Sequence, residues 1–299
     1  MPNPKKLGKM ATVIIASVAV MALLRLVFPA LDYFPPERLV RDLERSWFVD
    51  AGLRTPAMVV YGTVALTLMT VFFLAVQGRW AVPRPLKGLI FGCFLGVVWA
   101  LGFLTGWGFL GTTLRAELLN GAIDLAGLAI AGWLIGLATA ENTRAQATAI
   151  WKPWLAVALV ASGFLAVHTP GGLFLATWFG RTADLFLRPS SPPQTGLLLA
   201  VGAWAGVMFV ALRHALPVRN VLGRSAVFAF GIFGHSWTLF HLFFVIEFKG
   251  VLATVLLVGL TGAAGVFVGI LAYESVAGSK MSRNGSVRPR PEASAGGAG

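Results

Sequence analysis

The stretch FLGVVWALGFL (residues 94–104) returns as IFGHSWTLFHL (232–242), and AGWLIGLATAE (131–141) returns as AGVFVGILAYE (264–274). The offsets, 138 and 133 residues, are close to half of the 299-residue chain, which therefore reads as one unit present twice. Because the offset falls between the two matches, the outer turn separating them is predicted to be five residues shorter in the second copy.

The sequence around these matches decides the solvent in which the unit folds. Hydrophobic residues make up 57% and charged residues 12%, with a mean hydropathy of +0.78, too little polar surface to clothe a soluble domain. A helix needs about 20 apolar residues to cross hydrocarbon. Near-charge-free runs of that length fall at roughly 10–30, 57–77, 88–109, 118–140, 154–172, 195–213, 225–246 and 251–273. The predicted fold is an all-α polytopic membrane protein of eight transmembrane helices, in two four-helix repeats over residues 1–141 and 142–274. Four spans return a chain to the side it started from, so the repeats are expected to be parallel, related by an axis along the membrane normal. Residues 275–299, rich in Gly, Ser, Ala and Pro, bury too little to offset chain entropy and are expected to form a disordered cytoplasmic tail.

Charge orients the spans. Fifteen Lys and Arg but only three acids fall on the side of the N-terminus, whereas the opposite side carries eight of each sign. The whole net charge of +12 thus lies on one side, which predicts a multi-pass protein of the cell membrane with both termini in the cytoplasm. Charges scattered over short loops meet anionic lipid headgroups, and with no basic domain standing clear of the membrane, nucleic acid is not expected as a partner. The first apolar run is too long for the core of a signal peptide and reads as an uncleaved helix. The single Cys93 excludes an intrachain disulfide.

In the outer loop after span 1, Pro35-Pro36 suits the first turn of a helix, and Leu39, Val40, Leu43, Trp47 and Phe48 share one apolar face. An amphipathic helix is predicted at about 35–48, either lying on the leaflet as a lid or packed over the outer end of the bundle. Its balanced charges favour the second. The aromatic segment at 173–188 is expected to be a shorter version of the same feature.

Small residues let helices approach where lipid supplies no hydrophobic force between them. Gly88, Gly92 and Gly96 recur every four residues in span 3, Gly132 and Gly136 form GxxxG in span 4, and Gly265 and Gly269 repeat that pair in span 8. They are read as helix-packing positions, and the matched pairs are expected at an internal interface near the axis between the repeats. Trp99 and Trp237 match at mid-span and are expected to set helix spacing.

Asp124 lies inside span 4, where an ionised carboxylate costs a few kcal/mol. Glu117, Asn120 and Asp124 fall at i, i+3 and i+7 and so line one helical face. Arg25 in span 1, His168 in span 5 and His241 in span 7 reach the same outer half of the bilayer, with His235 nearer the middle. Two readings follow. Each group is satisfied separately, or Asp124, His241, His168, Arg25, Glu117 and Asn120 form one outward-facing polar site for a small solute or ion. Leu257 aligns with Asp124 and Phe103 with His241, so each repeat supplies different groups.

No catalytic, phosphate-loop or cofactor motif occurs, and neither enzyme activity, a cofactor nor a metal site is expected. His235 and His241, six residues apart, do not form the i, i+4 pair that grips one ion. The leading expectation is a transporter of a small solute or ion. The alternative is a non-catalytic scaffold or accessory subunit whose glycine ridges meet a membrane-protein partner or a second copy of the chain.

Overall fold

The computed structural model describes residues 4–27, 43–110, 113–142, 152–187 and 192–285. In chain order the helices are α1 (Pro4–Val27), α2 (Trp47–Asp50), α3 (Arg54–Gln77), α4 (Arg84–Leu110), α5 (Leu114–Thr139), α6 (Pro153–Leu187) and α7 (Pro192–Leu212). They are followed by α8 (Val221–Ala226), a π-helical segment (Val227–Phe233), α9 (Gly234–Glu247) and α10 (Leu252–Gly285). Eight helices are long and apolar enough to span a membrane, as the runs predict. Spans 1 to 6 are α1 and α3 to α7, span 7 runs from α8 through α9, and span 8 is α10.

Local chemistry sets the helix starts. Pro153 and Pro192 open α6 and α7, where a missing N–H costs nothing. Thr113 accepts a hydrogen bond from the Ala116 N–H at 3.2 Å and Asn220 accepts one from Gly223 at 2.6 Å, capping α5 and α8.

Span 4 packs against spans 1 and 3, and span 8 against spans 5 and 7. Span 1 also touches span 2, and span 5 touches span 6. Across the chain's midpoint, span 3 meets span 6, span 2 meets span 7, and spans 3 and 7 meet each other.

The closest seams run along glycine. A Cβ on Gly88 would be driven into the Gly132 carbonyl oxygen and to 2.6 Å from Gly136 Cα, so spans 3 and 4 touch backbone to backbone. Gly92 meets Leu128 and Gly96 meets Leu125 along the same seam. Gly265 and Gly269 do not repeat this arrangement. They close on Gly163, Phe164 and Val160 of span 5. The expectation of one shared interface near the axis is therefore corrected: matched glycines face span 3 in one half and span 5 in the other, because each glycine ridge follows the neighbour its own helix packs against most closely.

Four other expectations change. Ten residues separate Leu104 from Leu114 and also Leu242 from Leu252, so the turns match, and the five-residue difference lies in span 4, which begins farther from Glu141 than span 8 does from Glu274. The helix expected at about 35–48 is not continuous through its last residues: 43–46 are non-helical, and Ser46 caps a single turn at Trp47–Asp50. Residues 28–42 lie outside the described residues. The aromatic segment after span 5 continues that helix to Leu187 instead of forming a separate element, and α10 likewise runs to Gly285, eleven residues into the expected tail. Residues 286–299 lie outside the described residues.

Residues 44–46 are held extended by pairing with the turn between spans 7 and 8. Ser46 N–H donates to the Glu247 carbonyl at 3.0 Å, Lys249 N–H donates to the Glu44 carbonyl at 2.9 Å, and the Ser46 hydroxyl donates to the Ile246 carbonyl. Arg54 Nε also reaches Glu247 Oε1 at 2.7 Å. The Glu44–Lys249 ion pair at 2.9 Å is by contrast exposed. Lys249 holds the Glu44 carboxyl below the usual carboxylate range through a hydrogen bond and its charge. A depressed carboxylate contributes only above that range and loses its contribution as pH falls through the lowered value. Solvent screens it. Glu44→Gln is accordingly expected to leave the thermal unfolding midpoint unchanged from pH 5 to 8, with the backbone pairing carrying the strap; a marked, salt-sensitive drop would show that the ion pair carries it instead.

At the other end of the bundle, two trios tie helix ends together. Lys87 is fully buried, and its Nζ donates to the carbonyls of Gln77 at 2.6 Å and Glu141 at 2.8 Å, while Gln77 Oε1 accepts from the Glu141 N–H at 2.8 Å. Glu274 accepts a two-pronged contact from Arg213 at 2.7 and 2.8 Å and a third bond from Arg224 at 2.8 Å. Each trio joins the end of one span, the start of the next and the end of a third.

Candidate functional site

Span 4 turns a polar face toward span 1. Glu117, Asn120 and Asp124 are all buried on it, with Asp124 only 5% exposed. Span 1 brings Arg25 to the same face: Nη2 lies 2.6 Å from Asp124 Oδ1, and Nη1 donates to Asn120 Oδ1 at 2.9 Å. A single guanidinium thus satisfies a buried carboxylate and a buried amide together, a geometry its planar fork suits. Beyond the ion pair, the Arg25 guanidinium lies 5.7 Å from the centroid of the Phe103 ring in span 3. Tyr61 of span 2 is within electrostatic reach of Asp124 and Arg25, and its hydroxyl donates to the Leu239 carbonyl at 2.7 Å.

The two histidines lie elsewhere. His168 of span 5 and His241 of span 7 both meet the Trp237 indole edge-on, with centroids 6.4 and 4.4 Å away. His168 Nδ1 is 3.2 Å from Thr261 Oγ1 in span 8, and His241 Nδ1 is 2.8 Å from the Trp237 carbonyl. His235 belongs to neither group; its ring stacks on Phe72 at 4.4 Å.

Of the six residues expected to share one site, the structure thus brings Arg25, Asn120 and Asp124 into contact, places Glu117 on the same buried face, and sets His168 and His241 together in a second cluster. Between the clusters stand Phe103 and Phe240, edge to face at 5.0 Å, and Phe240 meets His241 at 5.0 Å. Among the described residues no hydrogen bond links the two clusters. The single-site expectation is corrected to two clusters flanking a phenylalanine layer. Depth along each span was readable in the sequence, but rotation about each span's axis was not.

Trp99 stacks on Tyr61 at 6.0 Å and meets Phe240 at 6.2 Å, as a spacing residue would. Trp237 does more. It is 1% exposed, meets both histidines, and among the described residues its Nε1 has no hydrogen-bond partner. The preceding π-helical turn at Val227–Phe233 adds a residue to the helix and so sets the rotation at which Trp237 and His241 leave it. Tyr61, Phe103, Phe240 and Thr261 were missed in the sequence because aromatic and hydroxyl residues are ordinary in apolar helices. The Glu141 and Glu274 trios had a readable signal: both acids end the matched AGxxxGxxxxE stretches among basic loops. Among the described residues, no three of His, Cys, Asp and Glu come together as metal ligands would.

No protein-family model, no curated protein and no solved structure matches the chain.

Proposed function

We propose that the protein carries a small solute or ion across the cell membrane through the seam between two parallel four-span repeats, with both termini in the cytoplasm. The observation that carries this reading is the pair of buried polar clusters, one from each half of the chain, on either side of Phe103 and Phe240. Polar groups inside a membrane are costly and mark paths more often than packing. On this reading the Phe103–Phe240 contact between them is the gate, closed by excluding water.

Support for the repeat comes from helix pairing. Adding four to each span number maps 1·4 onto 5·8, 3·4 onto 7·8, 1·2 onto 5·6, and 3·6 onto 7·2, and all of these pairs are in contact. Spans 3 and 7, which exchange with each other, also touch. At that contact two aligned residues meet: Gly102 faces Phe240, 138 residues later, and a Cβ on Gly102 would lie 2.5 Å from the Phe240 ring. Equivalent positions touch each other only beside a twofold axis.

A second reading has its own observation. Arg25 already pairs with Asp124, which then needs no solute, and the same guanidinium fastens span 1, with Ile15, Leu23 and Val27 exposed, to span 4 beside the apolar packing of Val13, Ile14, Val18 and Met21. That suits a scaffold or accessory subunit.

Cysteine accessibility separates the two, since Cys93→Ala removes the one native thiol. In that background, Lys249→Cys is expected to react with a membrane-impermeant maleimide on intact cells, and Arg219→Cys only after permeabilisation. Asn120→Cys is expected to react from outside, more slowly than Lys249→Cys. Complete protection of Asn120→Cys in folded protein would count for the scaffold, and the reverse labelling of positions 219 and 249 would invert the proposed topology.

A further inference from the structure

The corner where spans 6, 7 and 8 meet, at the end of the bundle that holds the start of α1, carries more positive charge than it balances. Glu274 Oε1 accepts from Arg213 Nε at 2.7 Å and from Arg224 Nη2 at 2.8 Å, so two guanidinium groups share one carboxylate. The arginine side chains are only 10% and 16% exposed, and that of Glu274 is 3% exposed. A third arginine, Arg219, lies in the turn between spans 6 and 7. Its carbonyl accepts from Arg224 Nη1 at 3.3 Å, while its own exposed side chain has no partner among the described residues. The corner thus holds three positive charges against one negative, and the next ionisable residues along α10, Lys280 and Arg283, are basic too.

His214, beside Arg213, registers the imbalance. Burial holds its imidazole below the usual histidine range, and Arg213 and Arg224 push it further down against the weaker opposite pull of Glu274. The surface next to the arginines is apolar. Val221 and Leu222, in the first turn of α8, are 41% and 63% exposed, and Arg224 follows Val221 at i+3. Span 7 begins at this turn, where acyl chains give way to headgroups. Lys87, the fully buried cation at the same end of the first repeat, is different: its ammonium is taken up by the carbonyls of Gln77 and Glu141.

Charge withdrawn from water persists where it is paired, and the guanidinium fork matches the oxygens of a phosphate. We propose that Arg213, Arg219 and Arg224 hold the phosphate of one anionic phospholipid of the cytoplasmic leaflet, with its acyl chains against Val221 and Leu222. Arg213 and Arg224, fixed by Glu274, form the standing positive wall, and Arg219 closes on the phosphate from the water side. A zwitterionic lipid brings its own cation to a corner that repels it. A free phosphate has the right charge but leaves Val221 and Leu222 uncovered. This is narrower than the spread attraction between basic loops and a negative membrane, since it requires one lipid per chain at one place. It goes beyond the transport reading and stands without it.

The test uses the full-length protein in a neutral detergent, with phosphatidylglycerol and phosphatidylcholine of the same acyl chains as probes and native mass spectrometry as the readout. One phosphatidylglycerol per chain is expected to be retained at concentrations where phosphatidylcholine is not, together with a rise in the thermal unfolding midpoint. Arg219→Gln keeps the backbone carbonyl that Arg224 uses. It is expected to leave the lipid-free midpoint unchanged and to weaken phosphatidylglycerol retention about tenfold, the worth of one charge-assisted hydrogen bond. Arg79→Gln removes the same charge from an exposed position at the same end of the bundle, and is expected to leave retention unchanged. Equal losses in the two variants, or no loss in either, would overturn the proposal, because a diffuse field treats the two positions alike. Stabilisation by inorganic phosphate as strong as that by phosphatidylglycerol would also overturn it, by giving the corner to a free anion.

Discussion

Exchanging two residues that face each other across the midpoint of the molecule, Gly102→Phe together with Phe240→Gly, is expected to recover folded protein that either substitution alone loses. Phe240 is 3% exposed and its ring contacts Trp99, Phe103, Trp237, His241 and Phe244. Its removal opens a cavity at the centre of the bundle, a loss on the order of 3–5 kcal/mol for a buried aromatic. Gly102→Phe instead forces a second ring into space that Phe240 fills, with a cost of about 1–3 kcal/mol or more. On the repeat proposed above, the two positions are images of each other, so a ring placed at 102 and a gap at 240 rebuild the same contact from the opposite side. The measurement is the monodisperse fraction after detergent extraction and the thermal midpoint of the four proteins. A swap no more stable than the worse single variant would show that the two positions are neighbours without being equivalent, and the axis would have to be sought elsewhere.

On the repeat proposed above, Gly102 and Phe240 are images of each other, one small and one large, so that a single ring fills the contact between spans 3 and 7. The ion pair and the histidines are likewise divided between the two halves of the chain.

The eight spans were legible because hydrocarbon thickness sets a length that apolar runs either reach or do not. The Arg25–Asp124 contact was nearly legible, since depth counting put both groups at one level and Asn120 is one turn from Asp124 on the same face. The histidines were assigned to that site for the same reason and do not belong to it. Depth says nothing about which neighbour a residue faces. That depends on the rotation of span 7, which the π-helical turn resets, and on which helices lie side by side. The glycine ridges illustrate the second point: Gly132 and Gly265 occupy matching places in matching sequence, yet one meets span 3 and the other span 5.

Arg25→Met is expected to destabilise the protein more than Asp124→Leu, and the double substitution less than Arg25→Met alone. Breaking a buried ion pair by removing one partner costs about 3–5 kcal/mol, because the remaining charge is stranded, whereas replacing both partners with apolar groups is often close to neutral. The two strandings are unequal here. The Asp124 side chain is 7% exposed and held on a central helix, while that of Arg25 is 31% exposed and long enough to reach the interface when its partner is gone. Its partial exposure places the loss in Arg25→Met toward the lower end of that range. Thermal midpoints of the four proteins in one lipid give the coupling, expected to exceed about 1 kcal/mol for residues in direct contact. An additive result would mean that the pair does not hold span 1 in the membrane. Function then divides the readings. A folded Arg25→Met/Asp124→Leu protein that still assembles and supports its cellular role would make the pair a fastener for span 1, as a scaffold requires; one that folds normally but loses outside access to position 120 and solute flux in vesicles would make it part of the path.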